Sequence, residues 1–255
     1  MKKLDLKAVE NNYKFGQKPP NNSPQLSEDS MIFENDELIG FYTRQVPERL
    51  RQFVDIADKE LRSERVPKSV MKRASGLRGD GDVLQYSCII GSIPPKPIMR
   101  RNYASRSSVH SVESAQIFIK AMTLAGLESA KIIKEIAPSL YENHKKAVYE
   151  NVSEEWRFAD IFTSSISNCN IAASIHQDNL NVKPAVNVII TKRLNAKGGN
   201  LYLPDYDLTV DSIDNSMLVY PAWRNKHGVT EIVPTHHNGY RNSLVWYALN
   251  AFKGV

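Results

Sequence analysis

The second half of the chain constrains the fold most. From about residue 160 onward short β-forming runs recur, among them PAVNVIITK, NLYLPDY, LTVDSI, SMLVYP, GVTEIV and SLVWYALNAF. Turn formers separate them at Gly198-Gly199, Pro204-Asp205, Asp214-Asn215 and His237-Asn238-Gly239. Parallel strands need long crossover connections, which this spacing does not allow. Many short strands with close turns build an antiparallel sandwich or barrel. Ahead of this region the texture is helical. PERLRQFVDIADKELRSER reads as an amphipathic helix with Pro at its start, and residues 111–150 carry two further helical runs, the second after Pro138. VLQYSCII is a predicted strand between them. Residues 1–45, with Pro19-Pro20-Asn21-Asn22-Ser23-Pro24, read as a flexible tether ahead of one domain over 46–255.

Composition excludes several classes. With 42% apolar and 24% charged residues among 255, the chain is globular rather than disordered. No run approaches the roughly 18 apolar residues of a membrane span, and the N-terminus has no apolar signal region. Cys88 and Cys169 are too few for a disulfide scaffold or a four-thiolate zinc site, and read as small buried hydrophobes. An intracellular monomer is expected. Charge is uneven: Arg62 to Arg106 holds ten Lys/Arg against Glu64, Asp80 and Asp82, so it carries +7 while the remainder sums to −2. Such a segment suits a polyanion, nucleic acid first, although a solvated face reads the same way.

Ser174-Ile175-His176-Gln177-Asp178 lies inside the β-rich half. On an extended backbone residues i and i+2 share a face, so His176 and Asp178 can converge on one ion. His227, 51 residues later, offers a second imidazole from another strand. Two imidazoles and one carboxylate form the facial triad of non-haem Fe(II) oxygenases. An isolated H-x-D also arises where an Asp caps a turn. Fourteen residues beyond His227 comes Arg241, and alternation puts Arg241, Ser243, Val245 and Tyr247 on one face with Leu244 and Trp246 on the other. An inward Arg needs an anion, either one of the chain's own carboxylates or the distal carboxylate of 2-oxoglutarate, with the Ser243 hydroxyl beside it.

These residues also carry a resemblance. His176-Gln177-Asp178-Asn179-Leu180-Asn181 resembles the H-x-D-x-x-N signature of the TET/JBP nucleic-acid base dioxygenases. Arg241-Asn242-Ser243-Leu244-Val245-Trp246-Tyr247 is similar to their closing R-x-S-L-V-[FW]-Y segment. Pro97-Ile98-Met99-Arg100-Arg101 is like the paired arginines on an early strand of that family, ahead of a helical region with an L-Y pair, here Leu140-Tyr141. Lys197-Gly198-Gly199-Asn200-Leu201 is like the G-G-x-L turn of its compact, phage-encoded members. The match spans about residues 90–250, sharp at both ends of the catalytic core and loose between them.

The resemblance implies an α+β protein with a double-stranded β-helix (jelly-roll) core over 161–255. N-terminal helices and a basic, DNA-facing part over 46–160 pack on it. It also implies hydroxylation of the 5-methyl group of a pyrimidine in DNA, 5-methylcytosine first and thymine second, with Fe(II), 2-oxoglutarate and O₂. His176, Asp178 and His227 would hold the iron, and Arg241 and Ser243 the co-substrate. One of Arg100 and Arg101 would reach 2-oxoglutarate or the DNA backbone, and Asn181 and Tyr247 would line the base pocket. Lys72 and Arg73 are the candidate phosphate contacts of the basic segment. Two cysteines cannot build the Cys-rich zinc region of the animal members, and Leu249 stands where those carry a His. The competing readings are an oxygenase acting on a protein side chain and a jelly-roll that binds nucleic acid without catalysis. His236-His237 reads as a solvated hairpin turn and His110 and His144 as surface residues, while Tyr103, Tyr220 and Trp223 could stack bases but are more often core aromatics.

Overall fold

Short strands broken by tight turns can bury their apolar faces only by stacking, and in the computed structural model they form two facing sheets. Residues 1–73 and 85–252 are described. The chain runs through β1 (Lys2–Leu6), β2 (Ser30–Glu34), β3 (Glu37–Thr43), α1 (Glu48–Arg62), β4 (Lys72–Arg73), β5 (Tyr86–Ile93) and β6 (Ser105–Arg106). The helices α2 (Gln116–Ile136) and α3 (Pro138–Asn151) follow, then β7 (Ser164–Cys169), β8 (Ala173–His176), β9 (Asn187–Leu194), β10 (Ala196–Gly198) and β11 (Leu201–Leu203). The last strands are β12 (Leu208–Val210), β13 (Met217–Tyr220), β14 (His227–Val229), β15 (Ile232–Pro234) and β16 (Tyr240–Tyr247).

The large sheet has the order β1-β2-β3-β13-β9-β16-β7-β5-β4, with β6 also paired to β5. The small sheet is β12-β11-β14-β8, and β10 pairs with β15. Every pairing in the catalytic half is antiparallel, the double-stranded β-helix arrangement. Leu244 and Trp246, on the outward face of β16, are buried with Val188 and Ile190 against Leu50 and Val54 of α1 and Phe118 and Met122 of α2. The Trp246 indole N–H donates to the Met122 carbonyl at 3.0 Å. This outer core holds the helices on one face of the large sheet and leaves the other face to the cavity. No helix among the described residues is long and apolar enough to cross a membrane.

Four expectations need correction. Residues 1–45 are not a tether: β2 and β3 form a hairpin in which β3 pairs with β13, and β1 adds in parallel to β2. Asn35 and Asp36 sit at φ 50° and 62°, the left-handed pair a two-residue hairpin turn requires. The intervening chain is tied to the small sheet through Gly16 N–H to the Ile175 carbonyl (2.9 Å) and Gln25 N–H to the Thr209 carbonyl (3.0 Å).

His144 is not on the surface. It is fully buried, its Nε2 2.6 Å from the Ile161 carbonyl and its Nδ1 accepting the Val186 N–H at 3.2 Å. His110 is half-buried and accepts the Gly91 N–H at 2.9 Å. Tyr103 is not core, being 65% exposed.

The basic segment is also less free than its charge suggests. Arg62 pairs with buried Asp58 at 2.8 Å and Arg65 with buried Glu60, so two of its charges tie down α1 and the turn after it. Arg78 and the side chains of Lys72 and Arg73 lie outside the described residues.

Candidate active site

β8 and β14 are antiparallel neighbours in which His176 stands opposite His227, which brings the two rings to a centroid separation of 4.2 Å. Asp178, just past the end of β8, places Oδ1 3.8 Å from His176 Nε2 and 4.0 Å from His227 Nε2. One ligand atom from each of the three lies within 4.8 Å of the others, a spacing that suits one metal ion.

The backbone sets the tautomers. His176 Nδ1 is 2.8 Å from the Ser174 carbonyl and His227 Nδ1 is 3.1 Å from the Asn225 carbonyl. A carbonyl only accepts, so each Nδ1 carries the hydrogen and each Nε2 keeps a lone pair for a metal. Burial, helped by the His176 ring, pushes the His227 pKa down to about 4, which keeps the ligand neutral.

Asp178 is oriented through a chain of amides. Asn181 Nδ2 donates to Asn187 Oδ1 at 2.7 Å, and Asn187 Nδ2 donates to Asp178 Oδ2 at 3.1 Å. Oδ2 is thereby held and Oδ1 is turned to the histidines. Asn181, 3% exposed, lines the cavity with its donor committed to Asn187, which leaves Oδ1 as its free group. Asn187 and its relay were missed in the sequence. The available signal was Asn187, Thr191 and Arg193, polar residues that share one face of β9 with Ile189.

The three ligands open onto a cavity of about 680 Å³ between the sheets, a size that holds a small co-substrate and a ring. Arg241, Ser243, Val245 and Tyr247 line it together. Arg241 is 2% exposed, its Nε has no hydrogen-bond partner, and no carboxylate pairs with it among the described residues. Burial, with the Arg193 charge, pushes its pKa down to about 9. A buried guanidinium in this state calls for an anion from outside the chain. Gly199, at φ 65°, lies over its stem, and a Cβ there would come within 3.2 Å of Arg241 Cδ.

Tyr247 stands opposite Ser164, and burial drives its phenol well above the ordinary range, so it stays neutral. Tyr42, from the first 45 residues, and Tyr220, whose ring meets His227 edge-on at 5.7 Å, complete the walls. Arg100 and Arg101 are not brought to this cavity. Arg100 is exposed in a left-handed conformation (φ 57°), and Arg101 lines a separate hollow. His236 and His237 are exposed in the β15–β16 turn.

No protein-family profile matches the chain, and no curated protein does. Solved structures do. NgTET1, determined in complex with 5mC DNA, superposes with a TM-score of 0.63 over 94% of this chain and 82% of its own, at 14% identity. The chain shares its fold with a TET protein. A 2OG-Fe(II) oxygenase family protein from Caulobacter crescentus (TM-score 0.48, 10% identity, 82% of this chain and 77% of that one) is a looser match. OsALKBH1 is looser still (0.41, 16%, 79% and 95%). The jelly-roll expectation holds.

Proposed function

We propose that the protein is an Fe(II)- and 2-oxoglutarate-dependent dioxygenase that hydroxylates the 5-methyl group of a pyrimidine in DNA, 5-methylcytosine first. One observation carries the reading: a single cavity joins three metal-ligating atoms of suitable type and tautomer to a buried, unpaired guanidinium. His176, Asp178 and His227 would hold the metal, and three ligands would leave the open positions that oxygenases use. When bound, Fe(II) with 2-oxoglutarate and O₂ would supply the oxidant that hydroxylates the methyl C–H bond, with succinate and CO₂ as the co-products.

The chain's own residues do the rest. Arg241 receives the distal carboxylate as a planar fork, and Ser243, one alternation along β16, adds a hydroxyl. The Asn181–Asn187 relay fixes which oxygen of Asp178 faces the metal. Neutral Tyr247 stacks on or bonds to the ring, and Asn181 Oδ1 accepts from its edge. A methyl group in a duplex cannot reach a cavity between two sheets, so the nucleotide is flipped out of the stack. The DNA reading is supported by the shared fold of a protein solved with 5mC DNA and by the chain's +7 segment.

The test of the metal and co-substrate assignment is succinate release from 2-oxoglutarate with Fe(II), ascorbate and methylated DNA. His176→Ala, Asp178→Ala and His227→Ala should each abolish it while circular dichroism is retained. Near-normal turnover in His227→Ala overturns the ligand set.

A further inference from the structure

A second hollow, of about 430 Å³, lies one strand away from the catalytic cavity on the same face of the large sheet. The register shows the continuity. Ile189, Val245 and Ile166 stand side by side across β9, β16 and β7 and line the catalytic cavity, and the next residue in that row, Ile89 of β5, lines the second hollow. Neighbouring strands lie about 4.8 Å apart, so the two hollows are adjacent along this row.

The hollow is cationic. Lys96 and Arg101 face each other across an antiparallel bridge, and Arg106 comes from β6. None of the three forms an ion pair among the described residues, and the neighbouring Glu155 charge favours the charged form of Arg106. Directly opposed like charges are unfavourable unless something negative sits between them. The two arginines are also held in place rather than free to swing. An Arg101 terminal nitrogen donates to the Pro94 carbonyl, and Arg106 donates to Ser92 Oγ at 2.9 Å and to the Glu155 carbonyl. Arg101 Nε and the hydroxyl of Ser107, which is 6% exposed, are buried in this wall without a partner among the described residues. Two unsatisfied donors beside three unpaired cations describe an acceptor that is missing. Tyr103 stands exposed at the rim.

We propose that this hollow binds a phosphodiester group of the DNA backbone next to the flipped nucleotide, with Lys96, Arg101, Arg106 and Ser107 as its contacts. The inference rests on the function proposed above. It gives Arg101 a role at the phosphate rather than at 2-oxoglutarate, and it puts phosphate recognition on residues that the two cavities' shared sheet face connects.

The test uses the full chain loaded with Mn(II) and 2-oxoglutarate, and fluorescence anisotropy of a methylated oligonucleotide. The double variant Lys96→Gln/Arg101→Gln should bind about tenfold more weakly, and its log–log salt slope should flatten by about 1, the share of one phosphate. Calorimetric binding of 2-oxoglutarate checks that the variant is folded. An oligonucleotide with one uncharged methylphosphonate linkage beside the methylated base probes the same contact without altering the protein. It should cost the unaltered chain about as much as the double substitution does, and cost the double variant nothing further. If the variant binds DNA with unchanged affinity and slope while the unaltered chain oxidises it, the hollow is not a phosphate site and the dioxygenase reading stands. If the unaltered chain neither binds nor oxidises DNA, both readings fall together.

Discussion

Arg193 of β9 and Arg241 of β16 stand directly opposite each other in the sheet, on the face that lines the cavity, and the Nε of each is buried without a partner among the described residues. Two guanidiniums placed this way repel. A carboxylate delivered from solvent relieves both, so this pair marks where a dianionic co-substrate gains most. Arg241→Lys should raise the KM for 2-oxoglutarate by about tenfold or more, because an ammonium cannot reproduce the planar fork. Arg193→Gln should raise it less, since the Arg193 terminal nitrogen already donates to the Gly198 carbonyl. Steady-state kinetics at saturating DNA decides; an unchanged KM in both variants assigns the anion elsewhere.

The amide relay makes a separate prediction. Asn187→Ala removes the donor that holds Asp178 Oδ2 and strands the Asn181 amide. Loss of such an outer partner typically weakens metal binding by about 10- to 100-fold. A calorimetric Mn(II) titration should show that loss for Asn187→Ala. Asn181→Ala should affect DNA oxidation more than metal affinity, because Asn187 still reaches Asp178 in that variant.

Stability should depend on pH through His144. Its folded pKa is pushed down to about 4 by complete burial, below the ordinary 6.5. The unfolded chain therefore binds the extra proton first as pH falls. Stability from this group is fully present above about 6.5 and is lost progressively down to about pH 4, by up to about 3 kcal/mol. Urea denaturation of the metal-free chain between pH 7 and 4.5 measures it. His144→Gln should flatten the dependence in that window.

Close packing between the helices and the sheet can be tested at Gly126 of α2. A Cβ there would lie 2.7 Å from Ala159 Cβ and 2.8 Å from Trp246 Nε1. Gly→Ala in a helix interior ordinarily stabilises, but this contact forces the helix off β16. Gly126→Ala should cost about 1–3 kcal/mol in denaturant unfolding.

The parts that were legible in the sequence are those where chemistry follows local spacing. H-x-D on a strand end and the Arg241/Ser243/Tyr247 alternation depend only on the two-residue period of β structure, and the structure puts them around one cavity. The long helices follow from apolar periodicity and from Pro138 at the start of α3. What could not be read depends on partners far away in the chain. Residues 1–45 look like linker by composition, yet β3 gains order from β13, over 170 residues later. His144 looks like a helix-surface residue until Ile161 and Val186 close over it. Asn187 has meaning only once Asp178 and Asn181 stand beside it. The basic run could be counted, but not the ion pairs with Asp58 and Glu60 that use part of it.

The central claim is oxidation of a methylated base, and nucleoside mass spectrometry tests it most directly. DNA containing 5-methylcytosine is incubated with the protein, Fe(II), ascorbate and 2-oxoglutarate, digested, and compared with a reaction using His227→Ala. The expected result is 5-hydroxymethylcytosine in the first digest, matched by succinate, and none in the second. Succinate produced with every 5-methylcytosine and thymine left unoxidised would contradict it, and would assign the same metal and co-substrate site to a different substrate.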